Sequence, residues 1–364
     1  MPKKKPVKKS VKKAAPKAAK PVHAKKLHPD AAPDILGVGL DMGTANIVAA
    51  RETLRGKEVR HSRNAFLFIR DDDSTKELLG KMNIAQQRIK ERHCILGKDA
   101  FEFSNYFDRA TQRPMNVGVI NPLERDAIHV MNLIVKGVLW EPRVPNEVCC
   151  FCVPAQPVDG AMDVNYHHNV IEIMLSVFGY QVLSMNEAYA VVLAELQEKN
   201  FTGIGISCGG GMTNICVSFK AVVIMEFSVA QGGDWIDAHA ANVLNISPNK
   251  VAGIKEKGMN IVRPETMEQT TIGLFYRNYI KYFIEKIAEE FHKPDKSPQF
   301  DEPIDIVFAG GTSMVGGFLE VVRQELKKVD LGIPVGEVRK AADPFNCVAK
   351  GCLYNAQQTY KQGK

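Results

Sequence analysis

No run of about 18 uncharged apolar residues, the length a membrane-spanning helix requires, occurs in the 364-residue sequence, so no such span is expected. The N-terminal stretch also lacks the apolar block of a secretory signal, and a cytoplasmic location is expected. Acidic and aromatic residues are nearly missing from residues 1–30, which carry eleven lysines against one aspartate and no Phe, Tyr or Trp. Repeated Lys, Ala and Pro leave almost nothing to bury, so a disordered basic tail is expected over residues 1–33. The tail accounts for +10 of charge and leaves the remainder at −4 from a total of +6. It suits either a solubilising role or attraction to an acidic partner, an anionic membrane surface or nucleic acid. Without interleaved aromatics base stacking is not expected, and without an apolar face the tail can lie on a membrane but not insert.

The rest has the composition of a globular protein, 45% hydrophobic and 24% charged. Cys94, Cys149, Cys150, Cys152, Cys208, Cys216, Cys347 and Cys352 lie mostly in apolar, strand-like runs, where reduced cysteine acts as a small core residue. A metal site at Cys149-Cys150-Phe151-Cys152 is not expected, because alternate strand residues point to opposite faces. From Ile35 strands and helices alternate. Residues 35–50 and 64–70 read as strands, "RDAIHVMNLIVKGVLW" as an amphipathic helix, "EVCCFCVP" as a buried strand, and residues 70–100 as a mixture of helix and loop.

One pattern occurs twice. "GVGLDMGTANIVAARE" is an apolar strand, a glycine turn and a second strand, and "TGIGISCGGGMTNICVSF" repeats it. Such a duplication suggests two related domains. A third glycine element, "IDIVFAGGTSMVGGF", reads as a strand running into a helix, whose N-terminus would present the amides of Gly310, Gly311, Thr312 and Ser313 to a ligand. Glycine removes the side chain that would hold a phosphate away from backbone N–H donors.

Together these elements resemble the nucleotide site of the actin, sugar-kinase and DnaK-type chaperone superfamily, and in order and spacing the bacterial actins of the MreB and MamK type. "VPAQP", "MNEAYAVV", "QGGDWIDAHA", "VAGIKEKG" and "GKDAFEF" agree with that resemblance, which spans roughly residues 35–358. It implies an α/β, two-lobed actin-like fold of duplicated ribonuclease-H-like domains with a nucleotide cleft between them. Residues 34–188 and 341–364 would form domain I, with a small insertion at about 70–100; residues 189–340 would form domain II, with one at about 240–285. ATP or ADP with Mg²⁺ would be held by Gly43, Thr44, Ala45 and Asn46 in the first loop and by Gly209, Gly210, Gly211, Thr213 and Asn214 in the second. Lys255 and Glu256 would touch ribose and base, Gly310 to Ser313 the adenosine, Asp41 would hold the metal through its waters, and Glu187 would orient the attacking water.

Ser207, Asn214 and Ala188 depart from that resemblance, which implies aspartate, aspartate and proline at these positions. Losing a carboxylate near the metal points to slow turnover, and to acceleration by Ser207→Asp. The implied function is an ATP-binding cytoskeletal protein that polymerises with itself into filaments. A nucleotide-bound structural protein without hydrolysis is the alternative; a small-molecule kinase using Asp159 or Asp163 as base is a further one, and a chaperone is weaker still. Deleting residues 2–26 should leave the thermal midpoint nearly unchanged. Binding to DNA or anionic vesicles should be reduced and should fall steeply with salt in the full chain. Unfolding on deletion would make the tail structural.

Overall fold

The computed structural model describes residues 32–69, 72–82, 84, 86–89, 92–106, 111–294 and 298–362. The expectations for the basic tail therefore lie almost wholly outside the described residues. In chain order, β1 (Val38–Met42), β2 (Asn46–Thr53) and β3 (Gly56–Arg63) form an antiparallel meander. A small unit follows, with β4 (Phe66–Ile69), α1 (Asp73–Lys81), β5 (Gln86–Ile89), β6 (Arg92–Leu96) and α2 (Gly97–Tyr106). The hairpin β7 (Met115–Asn116) and β8 (Val119–Ile120) leads to α3 (Ala127–Val138), β9 (Val148–Val153), α4 (Val164–Val177), β10 (Gln181–Asn186) and α5 (Glu187–Glu195). A second meander, β11 (Gly203–Cys208), β12 (Thr213–Phe219) and β13 (Val222–Val229), precedes α6 (Gly233–Leu244), α7 (Pro248–Glu256) and α8 (Met267–Phe291). The chain closes with β14 (Ile304–Ala309), α9 (Phe318–Leu326), β15 (Val335–Lys340) and α10 (Cys347–Gln362).

The two large sheets have one topology. Their orders are β3-β2-β1-β9-β10 and β13-β12-β11-β14-β15, in each case a meander followed by two parallel strands. Parallel strands need cover on both faces, which explains the unbroken apolar run of β9. Cys149 and Phe151 turn toward α3 and α4, whereas Val148, Cys150 and Cys152 turn toward the core shared with α5 and α10. That shared core also takes Val307 and Ala309 from β14, so both sheets contribute to it. Helix α3 buries Ala127, Val130, Met131, Ile134, Val135 and Val138, the three-and-four spacing its sequence shows.

Two local expectations need correction. Residues 70–100 contain the β5–β6 hairpin as well as helix, and β4 joins it to give the order β4-β6-β5. These strands are short and one edge is polar, so their pairing comes from tertiary contact rather than from an apolar pattern. The strand expected over 64–70 is β4, cut to four residues, while β3 extends the first meander. At the far end of the first sheet a buried ion pair ties three segments together. Glu147 accepts from Arg143 (Nε, 2.9 Å) and from the Gly37 amide (3.0 Å), and Arg143 donates to the carbonyls of Glu52 (2.7 Å) and Ile35 (3.0 Å). Among the described residues no helix is long and apolar enough to cross a membrane.

His167 on α4 is fully buried, and neither ring nitrogen has a hydrogen-bond partner among the described residues. Burial, with the nearby His168, lowers its pKa from 6.5 to about 4. The native state therefore favours the neutral ring. The associated stability is complete above pH 6.5 and is lost as pH falls through that value toward 4. Between pH 7 and pH 5 the wild type should lose about 2 kcal/mol more than His167→Leu in urea unfolding. Equal losses would show that the ring is not held neutral.

Candidate functional site

Three glycine turns converge on one small pocket of about 60 Å³. Its walls include Gly43, Thr44, Ala45 and Asn46 from the β1–β2 turn, Gly209, Gly210 and Gly211 from the β11–β12 turn, and Gly310 and Gly311 beyond β14. The first two turns touch across the cleft. A Cβ on Gly210 would lie 2.8 Å from Ala45 Cβ, and one on Gly211 would lie 2.3 Å from the Gly118 amide and 2.5 Å from Thr44 Oγ1. Only glycine permits that approach. The amides of Gly233 and Asp234, opening α6, donate to the carbonyls of Gly209 (3.0 Å) and Gly210 (2.8 Å) and so fix the second turn.

Not every expected residue faces this space. Thr213 is fully buried and its hydroxyl is engaged by the Gln231 carbonyl (2.9 Å) and the Tyr279 hydroxyl (2.6 Å), beneath the sheet. Strand alternation turns it inward, away from the cleft. Ser313 is also buried and donates to the Gly310 carbonyl at 2.8 Å. The third element differs from expectation as well. Gly311–Met314 is a single 3₁₀ turn and α9 begins only at Phe318, while the Gly310 amide already donates to the Pro344 carbonyl (2.8 Å). No α-helix N-terminus faces the pocket at that point.

Two carboxylates enter the pocket. Asp41 stands near the end of β1 and accepts from the Cys152 thiol at 3.4 Å. Glu187 opens α5, whose N-cap Asn186 accepts from the amides of Ala188 and Tyr189. Burial pushes the Asp41 carboxyl up to about 7, against the thiol hydrogen bond. Burial and the Asp41 charge push Glu187 up to about 8, against the Ser207 hydrogen bond. Ser207 Oγ donates to Glu187 Oε1 at 2.6 Å and Asn214 Nδ2 donates to Oε2 at 2.9 Å. Hard oxygen donors beside close-approach glycine backbone suit Mg²⁺, which binds through one or two carboxylates plus waters and phosphate.

The small pocket adjoins a cavity of about 850 Å³ that shares Asn46, Gly210, Gly311 and Phe345 with it. Lys255, Glu256 and Thr312 line the cavity, as does Phe101 of the GKDAFEF stretch; Arg63, Tyr276 and Met259, which no local motif marks, line it too. Lys255 contacts Asp237 (2.7 Å) and the Gly233 carbonyl (3.0 Å). Burial lowers its pKa, but the Asp237 charge and hydrogen bond, together with the charges of Tyr276 and Asp234, outweigh that and raise it. Contacts from both sides bridge the rim: Arg63 pairs with Glu256, Arg113 with Asp234 (2.6 Å), and Asn249 donates to Ser104 (2.9 Å).

A protein-family model for volactin matches residues 36–356. The chain belongs to the volactin family. No curated protein matches the sequence. Among solved structures, this volactin-family chain is similar to the MamK double helical filament, at 19% identity over 88% of this chain and 98% of that one, with a TM-score of 0.65. It is also similar to MreB5 of Spiroplasma citri bound to ADP, at 14% identity over 91% and 99% with a TM-score of 0.64. EutJ from Carboxydothermus hydrogenoformans is 16% identical over 87% and 89%, with a TM-score of 0.51. These likenesses establish an actin-like fold of the MreB and MamK type.

The carboxylate pair gives a stability test. Carboxyls held above their ordinary range bind protons more tightly in the native state, so native stability falls as pH rises toward 7 and 8. Asp41→Asn should therefore raise the melting temperature of nucleotide-free protein at pH 8 by a few degrees. An unchanged or lower midpoint would show that the pair carries no such strain.

Proposed function

We propose that this chain binds ATP or ADP with Mg²⁺ in the cleft and polymerises with itself into filaments, with slow hydrolysis. The observation that carries this reading is the meeting of three glycine turns and two carboxylates at one pocket, continuous with a cavity of nucleotide size. Backbone N–H groups of the glycine turns would bind the phosphates, and Asp41 would hold the metal through its waters. Bound Mg²⁺ supplies charge neutralisation at the phosphates. Lys255 and Glu256 would meet the ribose and base, and Glu187 would orient water. The likeness to the MamK double helical filament supports self-assembly. A head-to-tail contact that does not close into a ring yields a filament.

The kinase alternative has less support, because neither Asp159 nor Asp163 is among the residues lining the pocket or the adjoining cavity. Asp159 accepts from the Ala230 amide (2.8 Å) and the Tyr282 hydroxyl (2.6 Å), and Asp163 caps α4 by accepting from the Tyr166 amide (2.8 Å). A cytoplasmic setting, and an acidic partner, anionic membrane or nucleic acid for the basic tail, belong to the same proposal.

Light scattering and electron microscopy of purified full chain with Mg-ATP, Mg-ADP and no nucleotide test the assembly, and phosphate release tests turnover. Scattering should rise with Mg-ATP, filaments should be visible, and Asp41→Ala should lower the nucleotide-dependent part at least about tenfold. A protein that binds nucleotide yet stays monomeric across salt and nucleotide conditions would return the kinase to consideration.

A further inference from the structure

Ser207 and Asn214 stand where the resemblance to other actins implies aspartates, and both are buried. Their contacts give them a shared task. Ser207 Oγ lies 2.6 Å from Glu187 Oε1, and Asn214 Nδ2 lies 2.9 Å from Oε2. The orientation of the Asn214 amide is fixed from its other end, because Oδ1 accepts from the Ala155 amide at 2.9 Å. Nδ2 must then face Glu187. Ala155 belongs to the segment after β9, in the first sheet, and its carbonyl accepts from Ser228 Oγ at 2.8 Å. Asn214 and Ser228 are cross-strand partners on β12 and β13, so two neighbouring side chains hold both polar groups of one residue from the other lobe.

We propose that Ser207 and Asn214 are positioning residues that clamp the Glu187 carboxylate, one donor on each oxygen, for attack of water on the terminal phosphate of a nucleoside triphosphate. The inference rests on the nucleotide-binding reading above. Two neutral donors fill one lone-pair site on each oxygen and leave the carboxylate its remaining acceptor sites. Glu187 accepts the proton of the attacking water as the water oxygen bonds to the terminal phosphorus. The bond from that phosphorus to its bridging oxygen breaks, the electron pair leaves on the nucleoside diphosphate, and the proton passes on to inorganic phosphate. Catalysis of this step depends on position and charge, so a rotated carboxylate costs rate without costing nucleotide affinity.

An aspartate at either position would perform the opposite task. At Ser207 it would set a second carboxylate against Oε1, and at Asn214 it would keep the contact to Ala155 but lose the Nδ2 donor on Oε2. This reverses the expectation drawn from sequence, in which Ser207→Asp restores a missing metal-organising group and speeds the reaction.

The experiment is single-turnover phosphate release from Mg-ATP by the full chain, with the dissociation constant of a fluorescent ATP analogue measured on each variant. Ser207→Ala should slow release about tenfold while affinity stays within about twofold, and Ser207→Thr, which keeps the hydroxyl, should recover most of the rate. Ser207→Asp and Asn214→Asp should both be slower than Ser207→Ala. Should Asn214→Asp fail to fold, the three Ser207 variants decide the matter. Release by Ser207→Asp at or above the wild-type rate, or by Ser207→Ala unchanged, overturns the clamp. A wild type that binds the analogue but releases no phosphate also overturns it while leaving nucleotide binding intact. A wild type that does not bind the analogue sinks the binding reading itself.

Discussion

The molecule is organised around the contact of two backbone turns across a cleft. Gly210 meets Ala45, and Gly211 meets Gly118 and Thr44, at distances that no side chain on either glycine would allow. That contact fixes how the two sheets face each other, because each turn joins the first two strands of its sheet. Rear support comes from the core around α5 and α10, where small residues such as Ala190, Ala309, Cys352 and Ala356 let elements of both sheets approach closely. The two carboxyls of the cleft, pushed up to about 7 and about 8, then sit where the turns leave space, at the strand end of Asp41 and at the helix start of Glu187.

Burial sets the chemistry of that space. Asp41 and Glu187 share one pocket, and removal from water pushes both carboxyls upward. A cation or a positioned network of donors is the physical remedy for such a pair. The chain supplies part of it through Ser207 and Asn214, which are neutral and therefore add no charge to the pocket. The larger cavity is treated differently. There Lys255 neutralises Asp237, and Arg63 and Arg113 reach acidic groups across the rim, so positive charge from one side meets negative charge from the other. Opening the cleft would break the Arg63–Glu256 and Arg113–Asp234 pairs, which cross the rim.

The cysteines show how strand geometry overrides composition. Cys149 and its neighbours Cys150 and Cys152 lie close in sequence, yet they divide between the two faces of β9 and serve two separate cores. All eight are buried. Burial drives thiols such as Cys94 and Cys208 up to about 12, far from the reactive range, so these residues act as packing groups.

What the sequence determined by itself was the repeated unit. An apolar strand, a glycine turn and a second strand, present twice, specify a meander with backbone exposed at its bend, because hydrophobic alternation and glycine are local properties. The positions of Asp41 at a strand end and Glu187 at a helix start were legible for the same reason, as were α3 and the buried strand β9. Tertiary structure alone decided which hydroxyls face the cleft: Thr213 turns under its sheet toward Tyr279, and Ser313 closes on its own turn. It alone decided the β5–β6 hairpin, whose strands are too short to carry a period of their own. And it alone gave Ser207 and Asn214 their shared partner, since residues 187, 207 and 214 lie on three elements whose meeting depends on how α5 packs against β11 and β12. Local pattern fixes an element; only packing fixes what its side chains meet.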